Sequence, residues 1–124
     1  MKISHLNIPV PDPTATRHFF ETFFGLHCLE AKANALCVLT DEEGSFVFTL
    51  SNFRKNAPTP VYPQDFHLGF VRNSVQQVND TYERLKSAGL EVEPPKKAHG
   101  AWAFYVTAPG DVSVEVSSYE AMPS

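Results

Sequence analysis

The sequence predicts an α+β fold built from two tandem βαβββ modules. Three observations point to it. Each half of the chain opens on an alternating stretch headed by a His-Leu pair, His5-Leu6 and His67-Leu68. Each then carries a helical apolar stripe that stops at a Gly-Leu pair, Gly25-Leu26 and Gly89-Leu90, 20 and 22 residues after the histidine. Each closes on three short segments with strand character. Self-similarity of this kind signals duplication, although two copies are too few for a solenoid.

The first element is a strand over 3–10, with Leu6, Ile8 and Val10 on one side and His5, Asn7 and Pro9 on the other. Side chains alternate across a strand, so this one has an apolar and a polar face. Asp12 is a good N-cap and Pro13 suits the first helical position. Ala15, Phe19, Phe20 and Phe23 then form a helical stripe, read as core, and Gly25 ends it. Strands are expected at about 27–33, 35–40 and 45–51, with Asp41-Glu42-Glu43-Gly44 as a turn between the last two. Residues 54–65 hold three prolines and no periodicity, which reads as a connector between modules at about 3–53 and 66–118.

The second module repeats the order. Phe66, Leu68 and Phe70 alternate with His67, Gly69 and Val71. Ser74 with Gln77 forms a capping-box pattern ahead of a stripe of Val75, Val78, Tyr82 and Leu85. Strands are expected at about 90–94, 102–107 and 112–118. On the last of these Val112, Val114 and Val116 oppose Ser113, Glu115 and Ser117; on the one before, Trp102, Phe104 and Val106 oppose Ala103, Tyr105 and Thr107. The apolar sides must lie under helices. The helix-free face therefore collects His5, Asn7, His67, Tyr105, Thr107, Ser113, Glu115 and Ser117. Two imidazoles and a carboxylate on one face need water or a ligand, because burying a lone charge is costly.

Composition narrows the function. A chain of 124 residues fits one domain, here spanning 3–118, and can bury a real core. The formal charge of −4 and the lack of any basic cluster beyond Lys96-Lys97, read as a solvated strand end, argue against nucleic acid as a partner. Cys28 and Cys37 have no CxxC spacing and read as buried thiols of a reducing compartment. No signal peptide or membrane span can be drawn, so a cytoplasmic protein without a membrane partner is expected. His18 is read as solvent-exposed on the first helix, and His27 and His99 as strand-end or loop residues.

Three stretches carry a resemblance: Ile3-Ser4-His5-Leu6-Asn7, Phe66-His67-Leu68-Gly69-Phe70, and Pro109-Gly110-Asp111-Val112-Ser113-Val114-Glu115-Val116. Together they resemble the vicinal-oxygen-chelate superfamily, which includes glyoxalase I, extradiol dioxygenases, fosfomycin-resistance glutathione transferases and bleomycin-resistance proteins. The resemblance implies that the modules form a curled mixed sheet, a cup with its helices outside and a metal on the inner face. It implies His5, His67 and Glu115 as metal ligands, since they match the family's ligand positions. Two imidazoles and a carboxylate suit Fe, Mn, Ni or Zn better than Mg and leave positions open for substrate. Asn7, Thr49, Tyr105 and Ser117 are the implied substrate-pocket residues. Thr49 stands where metal-dependent glyoxalase I carries a fourth ligand, a Glu. No basic residue follows the last strand in Ser117–Ser124, where the fosfomycin-resistance enzymes carry phosphonate-binding ones.

The implied function is a glyoxalase-like metalloprotein, a small-molecule lyase, isomerase or dioxygenase whose divalent metal chelates vicinal oxygens of the substrate. The alternative is a metal-free drug- or metabolite-binding protein of the bleomycin-resistance type. The resemblance also implies a homodimer. No general base is identified.

Overall fold

A computed structural model of the chain describes residues 1–54 and 57–120. Residues 55 and 56 of the expected connector and 121–124 of the tail lie outside the described residues. The element order is β1 (His5–Pro9), α1 (Pro13–Phe24), β2 (His27–Lys32), β3 (Leu36–Thr40), β4 (Val47–Ser51), β5 (Leu68–Val71), α2 (Val75–Ser87), β6 (Lys96–Ala98), β7 (Ala101–Ala108) and β8 (Val112–Ser118). This is βαβββ twice, as the duplicated pattern predicts. The chain divides into two compact units at Val61/Tyr62, inside the expected connector.

The first unit holds a four-stranded mixed sheet in the order β1-β4-β3-β2. β1 runs parallel to β4; the other pairs are antiparallel. Asp12 caps α1 by accepting from the Ala15 N–H at 3.2 Å, with Pro13 directly after it. Asn34 adds a second cap, its Oδ1 accepting from the Thr14 N–H at 2.8 Å, so the β2–β3 turn is tied to the helix start. Gly25 ends the helix in the left-handed region at φ 65°, where a side chain would be strained. The helix buries Phe20 edge-on against Phe48, centroids 5.2 Å apart, above fully buried Ile8, Leu39 and Leu50.

The second unit repeats the topology as β5-β8-β7-β6, with β5 parallel to β8. Ser74 caps α2 by accepting from the Gln77 N–H at 3.1 Å. Gln77 reaches one residue further back than a capping box requires and accepts from the Asn73 N–H. Tyr82 packs edge-on against Phe104, and Val112, Val114 and Val116 are fully buried on the same side of the sheet.

Several expectations need correction. Residues 90–94 form no strand; the ladder waits for β6 at Lys96–Ala98. Leu90 and Val92 do alternate with Glu91 and Glu93, but Pro94 and Pro95 follow and have no N–H to donate. Ala15, Phe23 and Val75 are only half-buried, whereas Thr16 and Thr81 belong to the core. Cys28 is half-buried rather than buried; Cys37 is buried, and both are free thiols. Leu6, placed on the apolar face of β1, is 40% exposed. Among the described residues no helix is long and apolar enough to cross a membrane.

Candidate metal centre

The best-formed polar cluster lies on the helix-free face of the second unit. Register places Glu115 on β8 between Gly69 on β5 and Tyr105 on β7. Gly69 matters here because a Cβ at that position would meet nothing within 4 Å, so the face beside Glu115 is open. His67 sits just before β5 rather than within it. Its Nε2 lies 3.8 Å from Glu115 Oε2, and its ring stands edge-on to Tyr105 with centroids 5.6 Å apart.

Two contacts fix these groups. His67 Nδ1 lies 2.8 Å from the Asp65 carbonyl oxygen. A carbonyl only accepts, so Nδ1 carries a proton and Nε2 is the ring nitrogen that faces Glu115. Asp65 delivers that carbonyl from a left-handed position, φ 71°, in the turn closed by the Phe66 N–H on Pro63 O. The Tyr105 hydroxyl donates to Glu115 Oε2. That hydrogen bond to Glu115, followed by burial and the carboxylate charges of Glu115 and Asp65, pushes the Tyr105 phenol up to about 12.

The donor set fits a divalent transition metal. Two ligand atoms each about 2.1 Å from one ion at a tetrahedral angle lie about 3.4 Å apart, within a few tenths of the separation found. A ligating imidazole whose other nitrogen donates to a backbone carbonyl is the usual bracing of a metal histidine. Within either unit, among the described residues, no third His, Cys, Asp or Glu joins such a pair.

The first unit shows a related arrangement. His5 heads β1 with its Nδ1 2.8 Å from Ser4 Oγ, a hydroxyl that matches either ring tautomer. Asn7 is in register with Thr49, and Thr49 with Val38. Counting from each histidine, Asn7 and Thr49 correspond to Gly69 and Glu115, so Thr49 is the register equivalent of Glu115. Ser117 lies one step along β8 on the same face as Glu115 but is only 4% exposed. Thus the structure joins His67, Tyr105 and Glu115 in one unit, and sets Asn7 beside Thr49 in the other. Sequence reasoning missed the bracing by Asp65 and Ser4. Pro63-Gln64-Asp65 was its available signal, since Asp tolerates the left-handed position of a tight turn.

A family model described as the Glyoxalase/Bleomycin resistance protein/Dioxygenase superfamily matches residues 2–116. The chain belongs to this superfamily. Within it, the chain is similar to a solved structure described as a possible glyoxalase from Bacillus cereus, at 44% identity and TM-score 0.82, covering 94% of this chain and 98% of that one. A lactoylglutathione lyase from Agrobacterium tumefaciens is 21% identical with TM-score 0.77, covering 94% and 92%. A glyoxalase/dioxygenase from Nostoc punctiforme is 17% identical with TM-score 0.75, covering 94% and 90%. The last two likenesses concern the fold. No curated protein matches the chain. Superfamily membership agrees with the two-module fold.

Proposed function

We propose that this chain is a metal-dependent enzyme of the glyoxalase superfamily, a lyase, isomerase or dioxygenase acting on a small substrate with two neighbouring oxygens. His5, His67 and Glu115 are the ligands, and Fe, Mn, Ni or Zn is the metal class that suits two imidazoles and a carboxylate. The observation that carries the reading is the His67–Glu115 pair, with His67 Nδ1 engaged by Asp65 O and Nε2 left to face the carboxylate at 3.8 Å. The likeness to a structure described as a possible glyoxalase supports it.

When bound, the ion supplies Lewis acidity and a chelation point for vicinal oxygens. The chain's own residues do the rest. Glu115 brings negative charge beside His67 and Tyr105. Tyr105 holds Oε2 of that carboxylate, and its phenol, pushed up to about 12, keeps its proton at neutral pH. Asp65 O keeps the His67 ring in one tautomer. Open space over Gly69 leaves room for a ligand beside Glu115.

A homodimer belongs to the same reading. β1 and β5 are each an edge strand of their own sheet, and Leu6 and Val71 on them are exposed. Unpaired edges are templates for association.

Elemental analysis of protein purified without chelator tests the proposal. The expected result is one transition metal per chain in the wild type and its loss in His67→Ala and Glu115→Gln, with circular dichroism unchanged. A loaded wild type is then screened with 2-oxoaldehyde, catechol and thiol-transfer substrates. No uptake by the wild type after addition of Fe(II), Mn(II), Ni(II) and Zn(II) would overturn the reading and leave a metal-free binding protein in its place.

A further inference from the structure

The helix-free face of β1 carries His5, Asn7 and Pro9 in alternation, and beyond Asn7 it opens into a cavity of ≈ 560 Å³ lying wholly in the first unit. Asn7, Pro9 and Ser51 line it from the sheet; Phe53, Arg54 and Pro58 line it from the chain that follows β4. This volume falls in the range of small-molecule sites, about 300–1,000 Å³.

The sheet side of the cavity is held in place. The Val10 N–H donates to Ser51 O at 2.9 Å, the Asn52 N–H to Ala35 O at 2.8 Å, and Asn52 Nδ2 to Pro11 O at 2.9 Å. Four of the lining residues are prolines, whose rings fix φ and present apolar edges without an N–H. On the other side Phe53 is 66% exposed and Arg54 and Pro58 are exposed, so the ligand orders those side chains at some cost.

Charge decides what the ligand is. Among the described residues Arg54 is the one charged group in the lining; no Asp, Glu or Lys faces it there. Its guanidinium makes no ion pair with any described residue. A cleft lined by a single sign of charge focuses its field, and a guanidinium fork matches carboxylate and phosphonate oxygens two at a time. Phe53 and the proline rings match an apolar body.

We propose that this cavity binds an amphipathic organic anion, carboxylate or phosphonate, with its charge on Arg54 and its apolar body against Phe53 and the proline rings. The anion is the tail of the enzyme's substrate, and this part rests on the function proposed above. Asn7, on the cavity wall, is two residues from His5 on the same face of β1, about 6.6 Å along the strand. A ligand anchored at Arg54 thus runs along β1 toward His5.

Chelator-treated full chain tests this without any metal. Three probes of similar size are titrated and followed by two-dimensional NMR: 4-phenylbutyrate, 3-phenylpropylphosphonate and the neutral 4-phenylbutyramide. The two anions are expected to bind more tightly than the amide and to shift the signals of Asn52, Phe53 and the His5 ring. Arg54→Gln is expected to weaken anion binding about 10- to 100-fold and to leave amide binding unchanged. Arg54→Lys keeps the charge without the fork and falls between the two. The tighter anion identifies the head group. Equal binding of anions and amide, or anion binding insensitive to Arg54→Gln, would overturn the proposal. Shifts confined to residues other than His5 would overturn the direction assigned to the ligand. His67→Ala and Glu115→Gln are expected to bind the anions as the wild type does, so loss of metal uptake and loss of anion binding are separate failures.

Discussion

Removing one hydroxyl from the candidate centre gives its sharpest test. Tyr105→Phe keeps the ring that stands edge-on to His67 and deletes only the O–H that donates to Glu115. A hydrogen bond to a charged acceptor contributes about 1.5–3 kcal/mol. The rise of the Tyr105 phenol from 10.0 to about 12 corresponds to about 2.7 kcal/mol before screening. Tyr105 is 39% exposed and the Glu115 side chain 18%, so water screens the pair strongly. About 1 kcal/mol should survive at neutral pH. The pH dependence has a definite sign. The folded chain holds the phenol proton above the pH at which the unfolded chain releases it. The contribution is therefore complete below about pH 10 and is lost as pH rises through about 12. Urea unfolding of chelator-treated protein at about pH 8 and about pH 11 should show the wild-type advantage over Tyr105→Phe shrinking at the higher pH. An ultraviolet phenolate titration should find Tyr105 releasing its proton last among the four tyrosines. Glu115→Gln, which removes the charge, should bring that last step down. Stability of Tyr105→Phe within about 0.3 kcal/mol of wild type, or four tyrosines titrating together near 10, would refute the brace.

Two further outcomes test the frame around the site. Cys37 is buried, its Sγ lies 3.8 Å from Pro13 O, and burial pushes its thiol up, so in native protein a disulfide reagent should modify half-buried Cys28 first and reach Cys37 only on unfolding; Cys28→Ala should delete the fast phase, and two fast thiols would contradict the packing under α1. Glu120 accepts from the Val75 N–H at 3.0 Å at the start of α2, so Glu120→Ala should cost about 1 kcal/mol in urea unfolding while Glu120→Gln, which can still accept, should cost less.

Much of this was legible in sequence because two periods never conflict in it. Caps at Asp12 and Ser74 and the stop at Gly25 fall where their chemistry demands, and the three valines of β8 alternate cleanly with Ser113, Glu115 and Ser117. What was not legible is instructive. Thr16 and Thr81 are buried although polar, because each hydroxyl donates to the carbonyl four residues earlier, Asp12 O at 3.2 Å and Gln77 O at 2.9 Å. A reading that follows apolar residues alone passes over a hydroxyl satisfied by its own helix. Residues 90–94 alternate like a strand but lead into two prolines, and the ladder needs donors that pattern does not count. At the site, parity could align Glu115 with Tyr105, but only the register and the turn at Asp65 bring a phenol onto the carboxylate and a carbonyl onto His67.

The duplication also explains why the two proposals divide as they do. Equivalent positions in the two sheets have diverged in charge: where the second unit has Glu115 with Tyr105 across from it, the first has Thr49 with Val38. The same register row continues past Val38 to Glu30 of β2, a carboxylate paired with Lys32 at 3.5 Å. Among the described residues Arg54 is the one charged group lining the cavity farther along the same face. Glu115 thus suits its place in the second unit to a cation, while Arg54 suits the first unit's cavity to an anion. Each of these features lies within a single unit. A sequestering protein for an apolar drug needs neither charge at its site. A carboxylate braced in one unit and a guanidinium lining a cavity in the other are therefore better matched to the proposed enzyme than to such a binding protein.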